Sequence, residues 1–419
     1  MPTRIPLLAS LVALAIAATT ACAQPRTPAD DARLAKVHAA LAEATVPGRH
    51  AGAVLLVARA GGVVDWRASG HRDAARTQPL RRDDIFRIQS MTKPVASVAA
   101  MILVEDGRLR LDAPVADYLP AFAGIRVIDG GSVDAPRLRP PSRPPTVRDL
   151  LAHVAGFPAG LDGDDVAAEL QRRADPHGAA DLAGFAARVA AAPLAADPGT
   201  RFGYDGVATE VLSRVVEVAS GERFADFVSA RILTPLRMHD TGFEVPEGQR
   251  ARIVEVTTTD AAGRVVAAGA DAAPPPGMRM RAWDSGAGGL YSTAADYARF
   301  ARMLLGGGTL EGVTLLRPES VERMLQDQLA GFDPVRARPG TGEGFGLGFG
   351  LVVDPAQRGG AVPAGVAGWT GAMSTAFSVD REHDLAIVWM QQFLPGEASN
   401  GPAKPWRQVQ SEVYEAMVR

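Results

Sequence analysis

FRIQSMTKPV, residues 86–95, carries a serine and a lysine three positions apart, Ser90 and Lys93, directly before Pro94. Proline has no N–H and fits only the first turn of a helix, so a helix is predicted to begin here. The apolar run that follows, residues 95–104, is typical of a buried helix. Ser90 is therefore predicted at the positive, N–H-rich end of this helix, where the Lys93 side chain can reach its hydroxyl.

A serine beside an amine is a candidate nucleophile with its base. A serine hydroxyl reacts poorly until a neighbour takes its proton, and a desolvated lysine can take it. Lysine is scarce in this chain, which has only Lys36, Lys93 and Lys404. Ser-x-x-Lys is a short motif that also arises by chance, so its meaning depends on the motifs that accompany it.

Composition excludes several classes of function. The chain has 419 residues, enough for one large domain or two closely packed ones, and its formal net charge is -3. Charges of both signs are scattered, which indicates neither a nucleic-acid partner nor a polybasic membrane patch. The acidic run at residues 162–165 lacks the ligand spacing of a calcium loop. No phosphate-loop, dinucleotide or zinc-protease motif is present, and we expect no metal and no cofactor.

Residues 1–23 are predicted to be an export signal. A basic start precedes an apolar core of about twelve residues, too short to span a bilayer, and a small-residue cleavage site ends at Ala23. Cleavage there gives a soluble periplasmic or secreted protein, whereas processing at Cys22 gives a lipid-anchored one. We favour the soluble form because Thr-Thr-Ala before Cys22 is a poor lipoprotein motif. Cys22 is the only cysteine, which excludes a disulfide within the chain.

Strand-like runs lie near both ends of the chain, and helical patterns fill the middle. The predicted strands are residues 52–59, 63–69, 346–353, 375–379 and 385–391. No alternation of strands and helices indicates a parallel sheet. We therefore predict an α/β (α+β) fold in which both chain ends build one antiparallel sheet flanked by helices, with an inserted, mainly helical lobe.

The predicted boundaries divide one catalytic domain into two regions. The sheet region comprises residues 24–85 and 285–419, and the helical region comprises residues 86–284. The clearest predicted helix is residues 207–219, which has an apolar stripe at helical spacing. A cleft between the two regions is the expected place for chemistry.

Two later segments carry further motifs. The triplet Tyr-Asp-Gly at residues 204–206 lies just before the helix predicted over 207–219, and Trp-Thr-Gly at residues 369–371 lies just before the C-terminal hairpin. Together with residues 86–95, these segments resemble, in order and spacing, the serine β-lactamase superfamily. Within it, the chain is most similar to the class C-like enzymes, which include the family VIII carboxylesterases. The resemblance extends from about residue 34 to the C-terminus and implies the β-lactamase/transpeptidase-like fold.

The resemblance implies an acyl-enzyme mechanism. Ser90 would be the nucleophile, Lys93 and Tyr204 would share the proton transfers, and which of the two is the general base stays open. The backbone N–H groups of Ser90 and Ala372 would hold the oxyanion. The residues expected to bind substrate are Trp369, Thr370, Gly371 and Phe157, with Trp283 and Tyr291 as further candidates for the pocket wall.

Two residues depart from the lactamase pattern. Gly206 stands where lactamases have an asparagine for the substrate's amide, and Trp369 stands where they have a lysine for its carboxylate. An indole offers an N–H and an apolar face but no cation. Family VIII esterases resemble this chain in having an aromatic residue there. We therefore favour an exported carboxylesterase that acts on small-molecule esters, with β-lactams as side substrates at most.

Three alternatives stay open. They are a β-lactamase or D-amino-acid peptidase, an acyltransferase of the same fold, and a non-catalytic binding protein. The first of them needs a cation near Trp369, supplied by an arginine. Two histidines are given no proton role: His153 lies in a predicted helix, and His383 lies in a hairpin turn that we expect to be a solvated tip.

Overall fold

A computed structural model describes residues 28–158, 165–332, 340–395 and 405–418. The predicted export signal with Cys22, and residues 162–164 of the acidic run, lie outside the described residues. Within the ranges that are described, no helix combines the length and the apolar character needed to cross a membrane.

The secondary structure of the described ranges follows chain order. The helices are α1 (Pro28–Ala44), α2 (Thr92–Glu105), α3 (Val147–Leu151), α4 (Val166–Ala174), α5 (Leu182–Ala191), α6 (Val207–Ser220), α7 (Phe224–Val228), α8 (Ala294–Leu305), α9 (Pro318–Met324), α10 (Pro355–Arg358) and α11 (Trp406–Met417). The strands are β1 (Gly52–Arg59), β2 (Gly62–Gly70), β3 (Phe86–Arg87), β4 (Val127–Gly131), β5 (Pro136–Arg139), β6 (Thr257–Thr259), β7 (Val265–Ala267), β8 (Tyr291–Ser292), β9 (Thr309–Leu310), β10 (Val313–Thr314), β11 (Glu343–Phe345), β12 (Gly350–Val352), β13 (Ala367–Thr370), β14 (Ala376–Asp380) and β15 (Leu385–Gln391).

The central sheet joins the two ends of the chain. It has seven strands in the order β11-β12-β13-β14-β15-β1-β2, and every neighbouring pair is antiparallel. The N-terminal hairpin enters beside the last strand, where Ala53 lies opposite Gln391 and Ala58 lies opposite Ala386. The predicted antiparallel sheet from both chain ends is therefore confirmed.

Helices cover both faces of this sheet because its central strands are apolar on both sides. Along β1, Val54 and Leu56 pack into the larger core with α2 and α8. Leu55 and Val57 point the other way, into a second core with α1 and α11. Side chains alternate along a strand, so a strand buried on both faces has a continuous apolar run in place of an apolar–polar alternation.

The middle of the chain supplies the helices that border the site. α2 begins at Thr92, close to the predicted start, and the turn Gln89–Met91 leads into it. α6 covers the helix predicted over residues 207–219 and ends at Gly221, whose backbone is left-handed (φ 74). α6 packs against α2, α3 and α5. The regions divided at residues 85 and 285 stay a prediction.

The strand predicted over residues 346–353 is confirmed only in its second half, where β12 lies. Residues 346–349 instead form the turn of a hairpin that joins β12 to β11, which ends before the predicted strand begins. Gly348, in that turn, has a left-handed backbone (φ +90), and any side chain at this position would collide with the Ser97 hydroxyl of α2. The chain therefore turns where it meets α2, a contact that the local apolar pattern does not encode.

Candidate active site

Ser90 lies in a tight turn that the C-terminal strands hold in place. The residue before it, Gln89, has a left-handed backbone (φ 47). A residue with a side chain in this conformation costs about 1–3 kcal/mol and persists where its surroundings enforce it. Thr375 Oγ1 donates to the backbone carbonyl just before this turn at 3.1 Å, and any side chain at Gly371 would collide with the same carbonyl. The Ser-x-x-Lys and Trp-Thr-Gly segments are thus in direct contact.

Lys93 is buried in the first turn of α2, and its amine faces Ser90. Nζ lies 3.0 Å from Ser90 Oγ and donates to the Ala287 carbonyl oxygen at 2.8 Å. It also lies 5.0 Å from the centroid of the Tyr204 ring. The separation of the amine and the hydroxyl allows a proton to pass directly between them, as activation of a serine requires.

Tyr204 reaches the same place from the segment before α6. Its ring packs against those of His153 and Trp369, with centroids 4.9 Å away in each case, and Phe345 lies 5.1 Å from the Trp369 ring. Trp369 Nε1 donates to the Tyr204 oxygen at 3.0 Å. Because this oxygen accepts the indole N–H, its own hydroxyl hydrogen points away from Trp369.

Ser90, Lys93 and Tyr204 border one cleft of about 810 Å³, whose wall also includes Gly206 and Ala372. The structure thus brings together the predicted nucleophile, both candidate bases and both residues expected to hold an oxyanion. Gly206, in the place of an asparagine, leaves that part of the wall without a side chain. This arrangement is suited to acyl transfer through a serine.

The four residues expected to bind substrate are not among those that line this cleft. Trp369 donates its indole N–H to Tyr204 and, with Thr370, borders a separate cavity of about 220 Å³. Gly371 packs against the Ser90 turn. Phe157 is 5% exposed and belongs to the main hydrophobic core. The predicted contact of Phe157 with substrate is therefore not supported by its position, because core packing already takes its ring.

The two further aromatic candidates are buried as well. The Trp283 ring packs against Phe185, with centroids 5.2 Å apart. The Tyr291 hydroxyl donates to the Met278 carbonyl oxygen at 2.8 Å. Both side chains are structural in this arrangement, and the wall of the cleft is more polar than the sequence analysis anticipated.

The cleft wall also includes polar residues that were given no role from the sequence, among them Asp205, Glu210, His177, Asp271 and Arg281. Asp205 and Glu210 are each 4% exposed. Burial raises the pKa of Asp205 to about 7, against the opposing effects of backbone hydrogen bonds and of Lys93. Burial also raises the pKa of Glu210 to about 7, against the hydrogen bonds it accepts and the charge of Lys93. Their place at the start of α6 was the only sequence signal for them.

His153 and His383 both differ from ordinary solvated histidines. Burial, and to a smaller extent Lys93, lowers the pKa of His153 to about 3, so this ring is neutral at pH 7 and packs against Tyr204. His383 Nδ1 lies 2.9 Å from Asp380 Oδ2, so the expected solvated tip is instead a partly buried side-chain pair. Over the described part of the chain, no group of three His, Cys, Asp or Glu side chains could hold a metal ion.

Known proteins resemble this chain over most of its length. A family model described as Beta-lactamase matches residues 37–410. An uncharacterized protein of Mycobacterium tuberculosis is 34% identical over 364 residues, covering 85% of this chain and 89% of that protein. Esterase EstB of Burkholderia gladioli is 31% identical over 393 residues, covering 88% of this chain and 92% of that protein. The structure of a family VIII carboxylesterase matches with a TM-score of 0.70 at 20% identity, covering 92% of this chain and 97% of that chain.

Proposed function

Because this chain belongs to the β-lactamase family, we propose that it is a serine hydrolase that cleaves small carboxylic esters through an acyl-Ser90 intermediate. The observation that carries the proposal is the 3.0 Å separation of Lys93 Nζ and Ser90 Oγ, at a cleft that Tyr204 also borders. A hydroxyl, an amine and a phenol around one cavity are the groups that acyl transfer to serine needs.

In the proposed reaction, Ser90 Oγ attacks the ester carbonyl carbon while its proton passes to Lys93 or Tyr204. The oxyanion of the tetrahedral intermediate faces the backbone N–H groups of Ser90 and Ala372, and loss of one such donor typically slows the reaction about 10²–10³-fold. The bond to the alcohol oxygen then breaks, and the alcohol leaves with the proton. Water attacks acyl-Ser90 by the same route in reverse and releases the carboxylic acid.

Two features favour an ester over a β-lactam as the substrate. Trp369 carries no positive charge, and it donates its N–H to Tyr204. The Lys93 amine is already engaged by Ser90 Oγ and by the Ala287 carbonyl oxygen. A β-lactam carboxylate therefore has little to bind at the position where lactamases have a lysine. The esterase relative from Burkholderia gladioli supports the same choice.

Arg281 favours a second candidate, a β-lactamase or D-amino-acid peptidase. It is exposed and lies on the cleft wall, and a guanidinium group binds carboxylates well. This residue gives an anionic substrate a place to bind that Trp369 does not. Nitrocefin turnover faster than ester turnover would move the assignment to this candidate.

A fluorophosphonate probe and a graded series of p-nitrophenyl esters test the proposal. We expect Ser90→Ala to lose both labelling and p-nitrophenyl butyrate turnover while its melting temperature is unchanged. Ser142→Ala, at an exposed serine outside the cleft, is the matched control and should keep both. A wild-type protein that is neither labelled nor active would overturn the enzyme assignment, and a transferred ester as the main product in mixed alcohols would make the protein an acyltransferase.

A further inference from the structure

A backbone carbonyl in the turn at residues 285–289 orients the Lys93 amine. Nζ donates to the Ala287 oxygen at 2.8 Å. Inside the turn, the Gly288 N–H donates to Ser285 Oγ at 3.2 Å. Ser285 therefore helps to set the shape of the segment that presents the Ala287 oxygen to Lys93.

Glu210 connects this turn to α6. The Ser285 hydroxyl donates to Glu210 Oε1, and both side chains are 4% exposed. α6 begins just after Tyr204, so one hydrogen bond joins the segment that carries Tyr204 to the turn that contacts Lys93. Water cannot easily replace this bond if it is lost, because neither partner is open to solvent.

We infer that Glu210 is a positioning residue for the proposed reaction: through Ser285 it keeps the Ala287 carbonyl, and thereby the Lys93 amine, aligned with Ser90. This inference rests on the proposed function.

The pattern of hydrogen bonds requires Glu210 to be the acceptor. Ser285 Oγ receives the Gly288 N–H and gives its own proton to the carboxyl group. An ionised carboxylate accepts from Ser285 through either oxygen, whereas a protonated one accepts only through its carbonyl oxygen. Protonation of Glu210 therefore weakens the support for Lys93 without removing it.

Charge at this site changes near neutral pH. Burial raises the pKa of Glu210 to about 7. The charged and titratable groups that share the cleft with it are Lys93 on α2, Tyr204 and Asp205 before α6, His177 after α4, Asp271 after β7, and Arg281 before the turn. We expect ester turnover to rise with pH through this range, and a variant at position 210 separates the part due to Glu210 from the part due to Asp205.

Substitutions at Glu210 test the inference through kcat and its pH profile. Glu210→Gln keeps an oxygen that accepts from Ser285 but cannot ionise. We expect its kcat for p-nitrophenyl butyrate at pH 8.5 to stay within about threefold of wild type, with a flatter profile between pH 6 and 8. Glu210→Leu removes the acceptor and should lower kcat about 10- to 100-fold with little change in KM. Glu217→Gln, on the same helix and paired with Arg214, is the matched control and should change neither quantity.

Ser285→Ala tests the route from Glu210 to Lys93. It should lower kcat as much as Glu210→Leu, and the double variant should be no slower than either single variant. Thermal melts separate a loss of folded protein from a loss of kcat; if Glu210→Leu does not fold, the pH profile of Glu210→Gln decides, and an unchanged profile overturns the inference. A fully active Glu210→Leu variant overturns it as well and leaves the proposed function standing. A wild-type protein with neither labelling nor turnover overturns both.

Discussion

The hydrogen bond from Trp369 to Tyr204 predicts a specific loss of activity when its donor is removed. Trp369→Phe keeps an aromatic ring beside Phe345 but deletes the indole N–H that lies 3.0 Å from the Tyr204 oxygen. A neutral hydrogen bond contributes about 0.5–1.5 kcal/mol, so we expect kcat/KM for p-nitrophenyl butyrate to fall about 2- to 12-fold. Tyr204→Phe should cost more, about 10²–10⁴-fold, because it removes a group that we propose to transfer protons.

The double variant shows how Trp369 acts. If the indole works only through the Tyr204 oxygen, adding Trp369→Phe to Tyr204→Phe costs nothing further, and the coupling energy equals the single loss of about 0.5–1.5 kcal/mol. If the indole acts on substrate directly, the two losses add, and the reasoning is refuted. Rates are expressed per active site, with the concentration of active sites determined by fluorophosphonate labelling. The melting temperature of each variant shows whether the smaller ring has loosened the aromatic cluster.

Two further predictions concern stability and processing. His153→Phe should keep ester turnover within about threefold, because the ring packs among Phe202, Tyr204 and Phe345 and is given no proton role. The folded pKa of His153, about 3, lies below its ordinary value of 6.5, so the protein loses stability from this group as pH falls from 6.5 toward 3. We therefore compare the free energies of unfolding of the variant and the wild type, measured with urea, at two pH values. The difference, variant minus wild type, should be about 2 kcal/mol larger at pH 5 than at pH 7.5. The raised pKa values of Asp205 and Glu210 change stability with pH in the opposite direction, but both proteins contain these residues, so their effect cancels in the comparison. A variant-minus-wild-type difference that is equal at the two pH values would contradict the prediction. Mass spectrometry of the mature N-terminus should find Gln24 first; a lipid-modified Cys22 would contradict the soluble form, and a retained Met1 would contradict export.

The contact between Ser90 and Lys93 was predictable because it is local. Residues three apart at the start of a helix are neighbours whatever the rest of the chain does, and Pro94 marks that start. The sheet was predictable for a related reason, since apolar runs at both chain ends have to pair with each other to be buried. The position of Ala372 on the cleft came from the family resemblance, because no local pattern points to a backbone N–H.

Other contacts of the site depend on side-chain direction across long separations. Trp369 and Tyr204 are 165 residues apart in the chain, and Ser285 and Glu210 are 75 apart. The periodicity of a helix or a strand does not show which distant segment will pack against each of its faces. Phe157 illustrates the same difficulty. An aromatic residue near a motif can pack in the core or line a pocket, and the sequence does not show which.

The amino-acid order determined the contact between Ser90 and Lys93, the sheet from both chain ends and the family resemblance. The packing of helices on the sheet decided the rest: the tyrosine that accepts an indole N–H, the two buried carboxyl groups with raised pKa values, and the turn that orients the lysine. Spacing along one helix sets near neighbours before the chain folds. Desolvation and cross-chain hydrogen bonds exist only after distant segments have met.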